Sequence, residues 1–216
     1  MSAAPSQLAA LRHLIAARYP SASRTVGARL ATKLPGIDEL TDGGLPLAAL
    51  TEIVCAAPSC GSHLLLGQLL AVTRQTRQRV ALVDPTDSFD PASHDPVNLE
   101  HLVWIRNGDT TTALTVTDLF ARDANLGLVV LDLRSTSRRE LRRVPAPLWY
   151  RLQRAVETTE LALLVLSPTA IVPSAALRLE LTAPLSLASL SQDHPQLLPT
   201  LTPRLHRHRQ LHALSA

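Results

Sequence analysis

The stretch that decides the fold is residues 50–66, which read LTEIV, CAAPSCGSH and LLL in succession. The first five residues have the composition of a buried β-strand, and the apolar run from Leu64 to Arg74 predicts a helix. A short loop with a single glycine lies between them. A strand, a tight loop and a helix in this order are typical of the first unit of an α/β sheet.

The loop in this unit lacks the residues of a phosphate-binding loop. That motif is Gly-x-x-x-x-Gly-Lys-[Ser/Thr], because glycine lets N–H groups close around phosphates, lysine reaches the β/γ oxygens and the hydroxyl holds Mg²⁺. Here Ala56 replaces the first glycine, Gly61 is kept, Ser62 replaces the lysine and His63 replaces the hydroxyl. The only lysine of the chain lies upstream of the strand. Residues 56–63, called the altered loop below, therefore argue against ordinary ATP hydrolysis.

Length and composition indicate one globular domain. The 216 residues suit an α/β domain with short terminal additions and a continuous core. Apolar residues make up 46% and charged residues 18%, whereas aromatic residues make up only 3%, so the core must consist of Leu, Val, Ile and Ala. Neither an apolar run of about twenty residues nor a signal sequence is present, so we expect a cytoplasmic protein that does not enter a membrane.

Strands and helices alternate along the rest of the chain. Predicted strands are 50–54, 80–84, 102–106, 126–132, 161–166 and 176–181, and predicted helices are 64–74, 111–122 and 145–158. Ser137 and Glu140 predict the cap of a short basic helix, and turn signals occur at 35–36 and 42–44. This alternation predicts an α/β fold with a mostly parallel sheet flanked by helices.

The N-terminal part, residues 1–31, is predicted to be an amphipathic helix followed by a linker rich in Ser, Ala, Arg and Thr. One helical face carries the apolar side chains of Leu8, Leu11, Ile15 and Tyr19. This helix is either an arm that docks on another surface or a helix that packs on its own domain.

Two further parts complete the predicted organisation. Residues 32–190 form the core, and residues 191–216 form a C-terminal edge segment and a basic tail. The tail ends in alternating arginine and histidine residues, which suit a solubilising extension or contact with nucleic acid. The irregular spacing of the histidines does not match a metal site.

Four stretches resemble the RecA recombinases. TKLPGIDEL at 32–40 and GGLPLAALTEIV at 43–54 are similar to the lead-in to their phosphate-binding loop. Residues 128–132 resemble the Walker B strand, which ends in Asp132, and residues 164–167 resemble the strand that ends in a polar γ-phosphate sensor. The resemblance runs over residues 32–181 and implies a RecA-like fold.

Three departures from that family are visible. The altered loop is the first, and Thr86 stands where the family places its catalytic glutamate, with Asp87 as the nearby carboxylate. Residues 168–174 are too few for the long mobile DNA-binding loop of a recombinase. These changes, with TDLFARDAN at 117–125 and WYRLQR at 149–154, resemble the ImuA-like branch, whose members are also labelled SulA-like.

That resemblance implies a non-hydrolysing accessory protein of the DNA-damage (SOS) response that acts in translesion, error-prone DNA synthesis. It implies binding to an ImuB-like protein of the Y-polymerase family, with RecA or a second copy of the chain as further partners. We expect no catalytic residue, no cofactor and no metal. Two alternatives are a residual ATPase with a non-standard loop and a cell-division inhibitor that binds the septation machinery.

Several residues near the altered loop allow more than one interpretation. Asp132 either holds Mg²⁺ or accepts backbone hydrogen bonds. Gly61, Ser62 and His63 begin a helix, where free N–H groups attract anions without implying hydrolysis. The spacing of Cys55 and Cys60 fits neither a C-x-x-C redox pair nor a zinc site, and both are interpreted as small buried or half-buried residues in a reducing compartment. Covalent chemistry by Cys60 with His63 is the less favoured alternative.

A group of arginines late in the chain forms a candidate DNA or partner face. It comprises Arg138, Arg139, Arg142, Arg143, Arg151 and Arg154. Such a face neutralises phosphates of single-stranded DNA, with Trp149 or Tyr150 stacking on an unpaired base. The alternatives are a solvated helix face with Trp149 in the core, and contact with an acidic protein surface.

Overall fold

A computed structural model describes residues 27–208. The predicted N-terminal helix with Leu8, Leu11, Ile15 and Tyr19, and the end of the basic tail, lie outside the described residues. The strands are β1 (Arg29–Leu30), β2 (Leu45–Pro46), β3 (Ala49–Val54), β4 (Arg79–Asp84), β5 (Leu102–Arg106), β6 (Leu126–Asp132), β7 (Ala162–Ser167), β8 (Leu177–Leu181) and β9 (Pro203–His208). The helices are α1 (Pro35–Asp38), α2 (Ser62–Gln75), α3 (Thr110–Phe120), α4 (Arg138–Leu141), α5 (Ala146–Val156) and α6 (His194–Leu197).

Seven strands form one sheet in the order β5-β4-β6-β7-β3-β8-β9. Every neighbouring pair in it is parallel except β8 and β9, which are antiparallel. The short strands β1 and β2 form a separate antiparallel pair. The predicted fold class, a mostly parallel sheet flanked by helices, is confirmed.

The central strands are buried on both faces, as their continuous apolar sequences predict. Every residue of β3 and β7 is buried. Successive side chains of a strand point to opposite faces, so Ile53 packs on one face with Leu65 and Leu69 of α2. Leu50 packs on the other face with Leu152 of α5. The core is therefore two apolar layers, one on each side of the sheet.

Two local predictions differ from the structure at the start of the described chain. The turn predicted at residues 35–36 is the one-turn helix α1, because the Asp38 carboxylate accepts hydrogen bonds from the N–H groups of Thr32 and Lys33, each at 3.0 Å. The end of the predicted linker is β1, whose Leu30 is buried. Gly44 permits the β1–β2 pairing, since it has a φ of 126° and an added Cβ would lie 2.2 Å from the Leu30 oxygen.

The arrangement of the sheet decides where loops meet. In a parallel sheet the segments that follow the strands lie at the same, carboxyl edge. The altered loop after β3 thus shares this edge with the segments after β4, β6 and β7. No helix within residues 27–208 has the length and apolar character that a membrane crossing requires.

Candidate functional site

The altered loop connects β3 to α2 and is closed by Gly61. This residue precedes the first turn of α2 in a left-handed conformation, with a φ of 84°. An added Cβ would lie 2.1 Å from Cδ2 of Leu201, so glycine is required both by the backbone and by the packing of the C-terminal segment. Ser62, the residue in the position of the missing lysine, is buried at the start of the helix.

Arg134 fills the space between this serine and the strand that ends in Asp132. Its Nη1 donates to Ser62 Oγ at 2.7 Å, and its Nε donates to Asp132 Oδ1 at 2.8 Å. Its Nη2 donates to the second oxygen of the same carboxylate. Sequence analysis did not single out this residue, although an arginine two positions after a strand-ending aspartate was the available signal.

The Arg134–Asp132 pair is a buried, bidentate ion pair. The side chain of Asp132 is 0% exposed and that of Arg134 is 9% exposed. Burial opposes the charge of Arg134, but the hydrogen bonds and the negative charge of Asp132 outweigh it and raise the pKa of the guanidinium. Asp132 also accepts from the backbone N–H of Arg134 at 3.1 Å. Both carboxylate oxygens therefore hold Arg134, which favours the structural interpretation of Asp132 over Mg²⁺ binding.

Thr86, predicted at the position of the catalytic glutamate, belongs to a loop that Asp84 organises. Its backbone N–H and its hydroxyl both donate to Asp84 Oδ1, at 3.2 and 3.3 Å. The N–H of Phe89 donates to the other oxygen of Asp84 at 2.8 Å. Thr86 itself is exposed and does not line the cavity beside the altered loop. Nearby Asp87 is exposed and lies 3.7 Å from an arginine of β5.

Ser167, at the position of the predicted γ-phosphate sensor, is turned toward a buried glutamate. Its hydroxyl donates to Glu52 Oε1 at 3.2 Å, and both residues are 0% exposed. The same oxygen accepts from the N–H groups of Ile171 and Val172, at 2.7 and 3.1 Å. Glu52 is paired with Arg178, which also donates to the Val172 oxygen at 2.6 Å. The segment after β7 is therefore short and also fixed to a buried ion pair, which sequence analysis did not identify.

The segment between β8 and β9 crosses over the altered loop. The N–H of Leu185 donates to the Ser59 oxygen at 2.8 Å, and Leu201 packs against Gly61. An open cavity of about 570 Å³ lies between this segment and the loop. Among the described residues that line it, Arg134 is the only lysine or arginine, and its charge is already paired.

His63, Cys55 and Cys60 also line this cavity. The side chain of His63 reaches solvent, but its ring is sufficiently desolvated against the loop to lower its pKa, and repulsion from Arg134 adds to the effect. Both cysteines are buried and unbridged. Within residues 27–208, no group of three or more His, Cys, Asp or Glu side chains is placed to hold a metal ion.

The four arginines of the α4 region are held out into solvent by the residues between them. Leu141 is buried beneath α4, and Glu140 accepts a hydrogen bond from the hydroxyl of Thr110. Ser137 caps the helix by accepting from the N–H of Glu140 at 3.2 Å, as predicted. In the described part of the chain none of the four arginines forms an ion pair, and all are exposed: Arg138, Arg139, Arg142 and Arg143. We call these four residues the arginine face.

Arg151 and Arg154 belong to a different helix from these four arginines. They lie on α5, which leads from the carboxyl edge of the sheet back to the amino edge. Gln153, between them, accepts a hydrogen bond from the N–H of Leu50 near the start of β3. Arg151 is also paired with Asp118 of α3 at 3.3 Å. The predicted surface is therefore divided between two helices, and Arg151 differs from the four arginines of the α4 region because its charge is paired.

The two aromatic residues at the start of α5 have different environments. Trp149 is 2% exposed and belongs to the core, so it cannot stack on a base. Its carbonyl accepts a hydrogen bond from the hydroxyl of Ser174 at 3.0 Å. Tyr150 is 50% exposed. Of the two residues predicted to stack on DNA, only Tyr150 is accessible.

Comparison with known proteins supports the fold. No protein-family model matches the chain, and no curated protein matches it. Among solved structures, the crystal structure of the RadB recombinase is similar, with a TM-score of 0.55 and 17% identity over 70% of this chain and 82% of that chain. Similarity at this level of identity concerns the fold alone. The seven-stranded sheet and this neighbour together show that the chain has the RecA-like α/β fold.

Proposed function

We propose that this chain is a non-hydrolysing RecA-like accessory protein that acts by binding partners in the DNA-damage response, in translesion DNA synthesis. The observation that carries this proposal is the state of the phosphate site. The chain's own Arg134, Asp132 and Ser62 occupy it in a closed set of hydrogen bonds. The pathway and the ImuB-like partner rest on the sequence resemblance to the ImuA-like branch.

The residues at the positions that hydrolysis would need either make other contacts or lack the required chemical group. A bound triphosphate carries several negative charges, whereas Arg134, the one arginine or lysine among the described residues that line the cavity, is neutralised by Asp132. Freeing Arg134 would leave a buried carboxylate without a partner, which costs several kcal/mol. The position of the catalytic base is an exposed threonine, and the hydroxyl of Ser167 is bonded to Glu52.

The arginine face is the surface most suited to a partner. It is exposed, lacks ion pairs among residues 27–208 and lies at the same edge of the sheet as the altered loop. Single-stranded DNA or an acidic surface of an ImuB-like protein would match its charge. RecA and a second copy of the chain are the other partners to be tested, with residues 6 to 19 as a candidate docking helix.

Calorimetry with ATP and Mg²⁺ tests the first half of the proposal. We expect no binding tighter than about millimolar, because lysine, first glycine and Mg²⁺ hydroxyl are all absent and each supplies a charge-assisted contact. Micromolar affinity, or turnover that Asp132→Asn abolishes, would contradict it. The outcome does not depend on which partner is correct.

Capture experiments test the second half. The full chain, a chain without residues 1–20, and a variant in which the arginine face is replaced by alanine are each immobilised and offered the ImuB-like protein, RecA, the chain itself and single-stranded DNA. We expect the deletion to remove protein association and the alanine variant to remove DNA. If all three bind every partner equally, neither surface is a docking site.

A residual ATPase is the second candidate, and one observation favours it. The guanidinium of Arg134 reaches Ser62 at the N-terminus of α2, a helix of 14 residues whose dipole attracts anions. A cation therefore does stand near the position of the missing lysine. If Arg134 holds phosphate, Arg134→Met will abolish any nucleotide binding that the wild-type chain shows.

A further inference from the structure

The cavity beside the altered loop has walls that contacts within the protein hold in place. The N–H of Leu185 ties the segment between β8 and β9 to the Ser59 oxygen at 2.8 Å, and Leu201 packs against Gly61 at the end of the loop. Arg134, which also lines the cavity, is fixed by its ion pair. The volume of about 570 Å³ lies within the range of about 300–1,000 Å³ that small-molecule sites occupy. The cavity therefore has the size and the fixed walls of a ligand site.

Among the described residues, the lining of this cavity offers a ligand neither a free carboxylate nor a free guanidinium. None of these lining residues is an aspartate or a glutamate, and Arg134 is the only lysine or arginine among them. The guanidinium is paired with Asp132, whose side chain is 0% exposed. A cationic ligand would therefore meet no carboxylate, and an anionic ligand would compete with Asp132 for Arg134. Because burying an unpaired charge is costly, the lining favours an uncharged ligand.

The wall of the cavity is mainly apolar, with serines among the apolar side chains. Apolar residues come from the altered loop, from α2, from the segment after β7 and from the segment between β8 and β9: Pro58, Leu64, Pro168, Leu187 and Leu197. Ser59 and Ser135 also line the cavity, and a serine hydroxyl both donates and accepts hydrogen bonds. Apolar walls with a few polar groups are typical of small-molecule sites. The ligand that matches this wall has an apolar body and a few uncharged polar groups.

Leu187 lies where the cavity opens to solvent. It is one of the residues that line the cavity, and it is 86% exposed. An apolar ligand at the opening would cover this side chain, and the removal of a leucine side chain from water is favourable. Leu187 therefore offers a ligand apolar contact area that packing within the chain does not use.

We propose that the cavity beside the altered loop binds an uncharged small molecule with an apolar body. The apolar wall and Leu187 contact that body, and the serine hydroxyls form hydrogen bonds with its polar groups. Arg134 stays paired with Asp132, so the ion pair and the ligand are present together. A ligand of this class differs from a nucleotide in charge, and its binding requires neither phosphate nor DNA.

The test compares two fluorescent probes that differ by one charged group. N-Phenylnaphthylamine is uncharged and fluoresces in apolar surroundings, and anilinonaphthalene sulfonate is the same ring system with an added sulfonate. Each probe is titrated into the full chain at about pH 8, where ordinary imidazole is uncharged and does not favour the anion. We expect the uncharged probe to bind at one saturable site, at least about tenfold more tightly than the sulfonate. ATP with Mg²⁺ should not displace the uncharged probe.

Two exposed leucines supply the variant and its matched control. Leu187→Asp places a charge at the opening of the cavity and removes apolar contact area, so it should weaken binding of the uncharged probe by about tenfold. Leu119, on α3, is 70% exposed and is not among the described residues that line the cavity. Leu119→Asp should therefore leave the affinity unchanged. Both positions face solvent, so neither change should disturb the fold.

The proposal is overturned if the uncharged probe shows no saturable binding or if ATP displaces it. Binding of the sulfonate as tightly as the uncharged probe would also overturn it, because the N-terminus of α2 would then draw anions into the cavity. Equal weakening by Leu187→Asp and Leu119→Asp would place the probe elsewhere and would have the same consequence. The comparison of the two probes uses the wild-type chain alone, so it decides the question even where a variant fails to fold.

Discussion

The segment that follows β6 contains arginines in two contrasting states. Arg134 is 9% exposed in its side chain and gives hydrogen bonds to Asp132 and Ser62. A few residues later, the arginine face is exposed and has no ion pair in the part of the chain that the structure describes. The charge of Arg134 is paired inside the protein, whereas the charges of the arginine face are accessible to a ligand. The difference shows that one segment holds arginines in two structural states, since Arg134 closes an internal ion pair whereas the arginine face is exposed.

The largest expected effect is at Arg134. Replacing it by methionine leaves the buried Asp132 without a counter-charge, so the free energy of unfolding should fall by about 3–5 kcal/mol. Urea denaturation with an unchanged m-value measures this loss. Arg138→Met is the matched control and should change stability by no more than about 0.5 kcal/mol. Equal stability of the two variants would remove the distinction between the two states of arginine.

Single-stranded DNA binding provides the next test. Each neutralised phosphate contributes about 0.7 to the slope of log affinity against log salt, so replacing the arginine face by alanine should flatten the slope by about 3. Fluorescence anisotropy with a labelled oligonucleotide measures the slope. The double variant Arg142→Gln/Arg143→Gln should produce about half of this change in slope. As a control, Arg79→Gln combined with Arg154→Gln, two residues toward the other edge of the sheet, should leave the wild-type slope unchanged. An oligonucleotide that is not retained at low salt would show that the face is solvated or binds protein.

The third prediction compares the pH dependence of folding stability with the pH dependence of DNA binding. Burial, with repulsion from His194 and His63, lowers the pKa of His94, and burial with the charge of Arg74 lowers that of His101. Below about pH 6.5 the unfolded chain binds protons at these residues before the folded chain does. Stability is therefore complete above that pH and decreases as the pH falls toward the lowered folded values.

Thermal unfolding between pH 5 and 8 measures this decrease, and His101→Gln should reduce it. DNA affinity should show no matching change over pH 7 to 8, because arginine stays charged throughout. A stability that rises on acidification would contradict the lowered pKa of these half-buried histidines.

The smallest expected effect concerns the support of the arginine face. Ser137→Ala removes the cap of α4 and should lower stability by about 1 kcal/mol. Because α4 is a single turn, the loss should also weaken DNA binding slightly. Asp109→Ala removes the cap of α3, which accepts from the Thr112 N–H at 2.8 Å, and should cost a similar amount of stability without affecting DNA. If the two variants bind DNA equally, the local order of α4 does not matter.

Most secondary structure was predictable because it depends on local pattern. The predicted bounds agree with the structure for β5 and β6, and those of β3, β4, β7 and β8 differ by one residue at one or both ends. The cap at Ser137 was predictable for the same reason, since donor and acceptor are neighbours in the chain. The one-turn helix α1 and the pair β1–β2 were not, because a side-chain contact and a distant strand pairing create them.

The candidate site was likewise predictable only in part. The sequence by itself determined that the altered loop lacks the lysine, first glycine and hydroxyl of a phosphate-binding loop, because that motif is defined by residue identity alone. It also determined the alternating order of strands and helices. Only the tertiary structure decided which side chains contact one another around the altered loop. Arg134 contacts Ser62, which lies 72 positions earlier in the sequence, and Arg178 contacts Glu52, which lies 126 positions earlier. No local pattern encodes such contacts, since they arise when the strands assemble and buried charges must find partners.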